Sequence, residues 1–271
     1  MRTIKLIIAY DGTDFCGWQR QDGQNQRTAE RPTAECRAAE RLTAECRTVQ
    51  ACIEVALAEM HRHPVSLTGS GRTDSGVHAA GQAASFHTDI ASIEPHRFVP
   101  ALNGLLPRDI RILDAAETRL DFHARFDARM RTYRYHFICG RPAMPHESRY
   151  ALQLWRCPDL ELLNAYCRLL AGERDCTIFA GAGDTALLAG KSRSRYIYRA
   201  AFFTDGSRLI FEISANAFLW KMVRSIAGTF LHYEERGTPP ETLRDIIATG
   251  DRSLAGPTLP PQGLFLWKVD Y

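Results

Sequence analysis

Apolar and polar residues alternate from Thr3 to Tyr10, and this period of two predicts a first β-strand. A different period follows. Val49, Cys52, Ile53, Ala56, Leu57 and Met60 fall on one face of a helix over Val49–Met60. Val65–Thr68, Gln82–Thr88 and Ile110–Ala115 read as further strands, and Pro95–Leu105 as a short helix. The order so far is β-α-β-β-α-β.

The second half repeats that order. In the strand Met130–Cys139, Tyr133, Tyr135 and Phe137 share one face, and Thr132, Arg134 and His136 the other. A helix over Leu160–Leu170 follows Pro158, which suits a helix start. Arg195–Phe203 and Leu209–Ile213 read as a hairpin around Asp205-Gly206-Ser207. Helices over Phe218–Glu235 and Glu241–Ala248 and a strand over Leu264–Tyr271 complete the pattern. The expected fold class is α+β: two ferredoxin-like β-α-β-β-α-β halves, residues 1–118 and 119–271, with mainly antiparallel sheets meeting at a central cleft.

One segment, residues 22–47, interrupts the first half. Within it Arg27–Cys36 and Arg37–Cys46 are tandem decamers differing at two positions, Thr28/Ala38 and Pro32/Leu42. Their charges nearly cancel and their apolar content is low, so a packed core is not expected there. The segment reads as an insertion forming a solvated loop or loose helix, with an arm toward RNA as the functional alternative.

The 271 residues are 45% hydrophobic and 24% charged, a globular composition. The longest apolar runs are too short for a membrane span, so no membrane partner is expected. The start, with Lys5 inside its apolar run, reads as a strand and not as a signal peptide. Cysteines at 16, 36, 46, 52, 139, 157, 167 and 176 form no CxxC pair, which argues for free thiols in a reducing cytoplasm.

Net charge is only +3, but the cations are clustered. Arginines 119, 125, 129, 131, 134 and 141 interleave with Phe122, Phe126, Tyr133, Tyr135 and Phe137. Between Lys191 and Arg199 four cations and no acid accompany Tyr196 and Tyr198. Such stretches can contact phosphates and stack on bases, or form the solvated face of an amphipathic strand.

The run Gly69-Ser70-Gly71-Arg72-Thr73-Asp74-Ser75-Gly76-Val77-His78-Ala79 holds one carboxylate in a glycine-punctuated loop. Its glycines allow positive φ and close approach of a ligand. It lacks the Lys-Ser/Thr ending of a phosphate loop. Asp74 and His78 have no obvious third ligand nearby, and His61 and His63 flank a turn as surface residues, so no metal is expected. Asp74 is a nucleophile or base, or only the polar residue of a turn. Arg72 nearby and Arg224 on the helix from Phe218 are the cations able to keep it ionised.

Several of these stretches together resemble the TruA-type tRNA pseudouridine synthases. The likeness is carried by Tyr10-Asp11-Gly12-Thr13-Asp14-Phe15-Cys16-Gly17-Trp18-Gln19-Arg20-Gln21, Thr48-Val49-Gln50 and Gly71–Ala79. It continues in Phe122–Phe126, Arg131–Tyr135, Asn216–Leu219, Met222-Val223-Arg224 and Gly263-Leu264, and spans the chain apart from the insertion. Trp220-Lys221 departs from the family pattern, where a tyrosine or histidine is expected; Lys221 reads as a solvated helix position or a phosphate contact.

The resemblance implies isomerisation of uridine to pseudouridine at positions 38–40 of the tRNA anticodon stem-loop, without cofactor or metal, by a homodimer. By motif position Asp74 would be the catalytic aspartate and Tyr133 the tyrosine against the target base. Arg72 would help displace that base, Arg224 would pair with Asp74, and Leu264 would line the uracil pocket. Attack at C6, attack at C1′ and removal of a sugar proton all remain open for Asp74. A non-catalytic RNA-binding protein on the same scaffold is the competing class, but a pure binder has no need of Asp74, Tyr133 and Arg224 together.

Overall fold

A computed structural model describes residues 1–19, 47–181, 183, 190 and 192–271. The decamers lie outside the described residues. The chain forms two compact units. The first comprises Met1–Gly76 and Ala83–Arg125, the second Val77–Gln82 and Phe126–Tyr271. Among the described residues no helix is long and apolar enough to cross a membrane. The described cysteines are free thiols.

In the first unit, β1 (Arg2–Tyr10) lies between β4 (Ile110–Thr118) and β3 (His78–Thr88). It runs antiparallel to β4, with an irregularity at Ile7/Ile8. The alternation becomes burial: Ile4, Leu6 and Ile8 have no exposed surface, nor do Ile53 and Leu57 of α1 (Val49–His61) or Phe98 and Leu102 of α2 (Phe98–Leu105). Burying each such side chain contributes about 1.5–3 kcal/mol. Thr48 caps α1 by accepting from the Ala51 amide, a cap worth roughly 1 kcal/mol.

Several boundaries differ from the pattern. The strand expected at Val65–Thr68 shrinks to β2 (Thr68–Gly69), antiparallel to β3. Val65 and Leu67 are buried, but α1 takes over the ladder's role. The Leu67 amide donates to Glu54 Oε1, and Gln50 Nε2 donates to the Leu67 carbonyl. Strand β3 starts at His78, four residues before the expected Gln82, because its first residues pair in parallel with a strand from the far end of the sequence. His61 is not a surface residue. It is 7% exposed, its Nδ1 bonds the Leu57 carbonyl and its Nε2 bonds Thr88 Oγ1. Arg47, assigned to the insertion, belongs to the folded unit: it forms a two-point salt bridge with Asp109 at 2.7 and 2.9 Å and lies over the Phe15 ring.

In the second unit β5 (Met130–Cys139) has the expected bounds and lies between two antiparallel neighbours, β9 (Arg208–Ala215) and β10 (Leu264–Asp270). Strand β8 (Ser194–Asp205) forms the predicted hairpin with β9, and β7 (Gly172–Asp175) adds to β8. Phe265 and Leu266 of β10 pair in parallel with His78 and Ala79. A short β6 (Leu152–Leu154) runs parallel to the end of β5. The core stacks Phe137, Phe202 and Phe211, with Phe230 of α4 (Met222–Glu235) edge-on to Phe211. Helices α3 (Leu160–Arg168) and α5 (Pro240–Thr249) complete the α-helices among the described residues.

Helix α4 begins four residues later than its apolar pattern suggests. The Asn216 side chain takes the Ala217 amide, and Lys221 at the helix entrance sits at φ 60°, which stops the helix from extending back to Phe218. Lys221 is thus not a solvated helix position; its ammonium lies 4.0 Å from the centre of the Trp220 ring.

Candidate active site

The loop of Asp74 is fixed by the N-terminal segment Phe15–Gln19. Phe15 and Thr73 offer their carbonyls as anchors: the Gly76 amide and Ser75 Oγ donate to Phe15 O, and the Trp18 amide donates to Thr73 O at 3.1 Å. Tyr10 Oη and Thr73 Oγ1 are 2.8 Å apart, and the Ser70 amide donates to the Ala83 carbonyl. Gly17, at φ 104°, lets this happen. A Cβ there would stand 2.5 Å from Thr73 O, closer than any side chain tolerates. Gly76 takes a positive φ of 76°, whereas Gly69 serves by leaving room for the Trp18 indole.

The result is a half-buried carboxylate on a backbone that cannot drift. Ser70, Thr73 and Val77 around it are buried, Asp74 is partly accessible, and Arg72 is exposed. Arg72 Nε donates to Gln19 Oε1 at 2.8 Å, so the segment that grips the loop also orients its arginine. Gln19 is part of the Tyr10–Gln21 motif, and its hold on Arg72 emerges only from the structure. His78 is fully buried, and its Nε2 faces two carbonyls, Arg149 O at 3.0 Å and Gln262 O at 3.2 Å. That nitrogen must carry the proton and is not presented to a metal. Among the described residues no group of three His, Cys, Asp or Glu is arranged to hold one.

The other predicted residues lie in the second unit. Tyr133 is 9% exposed on β5, with Ile213 and Leu266 opposite it on the flanking strands. Its ring meets Phe218 edge-on, centroids 5.0 Å apart. Leu264 opens β10 opposite Tyr135 and is 5% exposed. The Tyr135 hydroxyl donates to the Pro260 carbonyl at 2.6 Å, and burial pushes its ionisation well above the usual range, so it is a neutral donor. Arg224 is in the first turn of α4. Its Nε donates to the Leu259 carbonyl at 2.6 Å, and the Leu259 amide returns a bond to Arg224 O, which pins the guanidinium stem.

Asp74 and Arg72 therefore belong to one unit, and Tyr133, Arg224 and Leu264 to the other. Two residues of the Asn216–Leu219 motif gain supporting roles from the structure, Phe218 against Tyr133 and Asn216 at the turn before α4. Asn216 Oδ1 accepts from the Tyr196 and Ala217 amides, and its carbonyl accepts from Arg131 Nη1.

Known proteins match this chain along its length. A family model described as tRNA pseudouridine synthase matches residues 6–127 and 166–271. The tRNA pseudouridine synthase A of Treponema denticola is 49% identical over 270 residues, covering 100% of this chain and 93% of the relative. That of Caldicellulosiruptor bescii is 38% identical over 272 residues, covering 100% of both. That of Exiguobacterium sp. (strain ATCC BAA-1283 / AT1b) is 36% identical over 271 residues, covering 100% of this chain and 98% of the relative. The chain belongs to the TruA-type tRNA pseudouridine synthase family of isomerases.

Proposed function

We propose that this protein converts uridine to pseudouridine in the anticodon stem-loop of tRNA, with Asp74 as the catalytic aspartate. The observation that carries the reading is the loop itself: a half-buried carboxylate on a backbone gripped by Phe15, Gly17 and Trp18. Such fixation is what a group must have if it is to meet one carbon atom of a substrate repeatedly.

The chemistry balances without help. The bond from N1 to C1′ breaks, the bond from C5 to C1′ forms, the C5 proton leaves to water and N1 gains one. A carboxylate supplies a nucleophile or a base for this, and no electrons are exchanged. The base must first leave its stack, at a cost of a few kcal/mol. Arg72, exposed beside Asp74, is assigned to fill the space the base vacates. Tyr133 is assigned to stack on the uracil, Leu264 to line its pocket and Arg224 to pair with the Asp74 carboxylate.

The same reading takes residues 1–118 and 119–271 as ferredoxin-like halves. The strand orders support it: β4-β1-β3 with β2 on β3, and, with the short β6 and β7 set aside, β10-β5-β9-β8, each follow last-first-third-second. It also takes the protein to work in the cytoplasm as a homodimer. Tritium released from C5-labelled unmodified tRNA measures the reaction. Wild-type protein is expected to release it and Asp74→Asn to release none while still binding tRNA. Absence of release by the wild type ends the proposal, and mapping pseudouridine in tRNA from cells lacking the protein separates the anticodon stem-loop from any other site.

A further inference from the structure

Strand β8 presents two tyrosines to solvent. Tyr196 and Tyr198 are 47% and 50% exposed, the residue between them, Ile197, is buried, and Tyr198 stands at an irregularity of the ladder between Ile197 and Arg199. Their rings are 4.9 Å apart and inclined at 56°. Exposed single hydrophobic residues need no explanation, but an ordered aromatic pair within a cationic stretch does. Arg193 and Arg199 flank it and are exposed, and the chain from 191 to 199 contains no acid. Glu212, 3.8 Å from Arg199, Glu173 opposite Tyr196 on β7 and Asp175 beside Arg193 offset part of this charge.

The pair is not isolated from the residues already assigned to the reaction. The Tyr196 amide donates to Asn216 Oδ1, and the Asn216 amide donates back to the Tyr196 carbonyl. Two residues further on, Phe218 packs against Tyr133. The backbone under Tyr196 is therefore joined to the turn that supports Tyr133, within one unit. A surface of aromatic faces and guanidinium groups fits a polyanion with flat bases.

We propose that Tyr196 and Tyr198 are a stacking platform for an unpaired tRNA nucleotide neighbouring the one isomerised, with Arg193 and Arg199 at the flanking phosphates. The inference rests on the reading that tRNA is the substrate.

The test is binding and turnover of an unmodified tRNA transcript by the full-length protein carrying Tyr196→Thr and Tyr198→Thr. Threonine keeps the preference for strand. The Kd and KM are expected to rise about tenfold, with kcat changed less than twofold. Phenylalanine at both positions, which keeps the ring faces, is expected to restore both. A folded threonine variant with wild-type Kd and KM overturns the platform. So does a change of sedimentation showing that the substitutions split an oligomer, which would make this face a contact between copies. If the wild type itself neither binds nor turns over the transcript, the substrate reading falls and the platform with it. If the wild type is active and the variant matches it, the platform alone falls.

Discussion

The two assigned groups at the centre of the chemistry are held in opposite ways. Asp74 is held by polar backbone contacts: carbonyls of Phe15 and Thr73, amides of Trp18 and Gly76, and a glycine where any side chain would collide. Tyr133 is held by its neighbours' side chains, in a strand paired on both edges and against the Phe218 ring. Hydrogen bonds fix direction and fail abruptly when geometry is spoiled, whereas packing yields by degrees.

Two buried histidines show the same contrast. His61 in the first unit bonds through both ring nitrogens. His136 in the second, equally buried, lies against Phe265 and Trp267, and neither of its nitrogens has a hydrogen-bond partner among the described residues. Burial pushes its pKa down to about 4, with Arg208, Arg134 and His78 acting in the same direction and Asp205 against it.

The largest effect expected is from Asp74→Asn, which keeps the shape of the loop and removes the charge. Tritium release should fall at least on the order of 10³-fold with melting temperature unchanged. A surviving rate would mean that the gripped loop serves structure alone. Next is Gly17→Ala. The left-handed φ and the 2.5 Å approach to Thr73 O should cost about 2–4 kcal/mol of stability, measured by urea unfolding, and most of the activity. A mild loss would show that the loop yields gradually after all.

His136 comes third. Its folded pKa of about 4 is below the ordinary 6.5, so the unfolded chain binds the extra proton first. Stability should therefore be constant above pH 6.5 and decline by about 2–3 kcal/mol as pH falls from 6.5 to 4. His136→Phe should flatten that part of the stability–pH curve, and an unchanged slope would assign the loss to other groups. The smallest effect is from Phe218→Leu, which removes an aromatic contact worth about 0.5–1.5 kcal/mol. A loss of kcat of about two- to tenfold is expected, and a collapse to Asp74→Asn levels would mean that Tyr133 is fixed as rigidly as the loop.

Much of the fold was legible because local periodicity coincides with tertiary burial. Met130–Cys139 and the Val49 helix start are cases where the side-chain pattern and the hydrogen-bond ladder agree. Errors arose where backbone groups found partners the pattern does not encode. Leu67 bonds to side chains of α1, His78 to a strand almost two hundred residues away, and Ala217 to the Asn216 amide oxygen. For the candidate site, Asp74 was visible through its glycines and motif. The bond from Trp18 to Thr73, and the close approach at Gly17 that permits it, were not, because nothing in a linear sequence reports that residues 17 and 73 share a few ångströms. Phe218 was visible as a letter of a motif but not as the neighbour of Tyr133.

The grip also bears on how this sequence can change over time. The two ends of the segment that carries the decamers are already joined at its base: the Cys16 amide bonds the Arg47 carbonyl, Val49 bonds Gly17 O and Gln50 bonds Trp18 O. Once the ends of a spacer are fastened, doubling its length adds only about 0.6 kcal/mol of closure entropy. A copy of ten residues between these ends leaves the bonds that fasten residues 16–18 to 47–50 outside the duplicated stretch, so the carboxylate loop keeps its anchors.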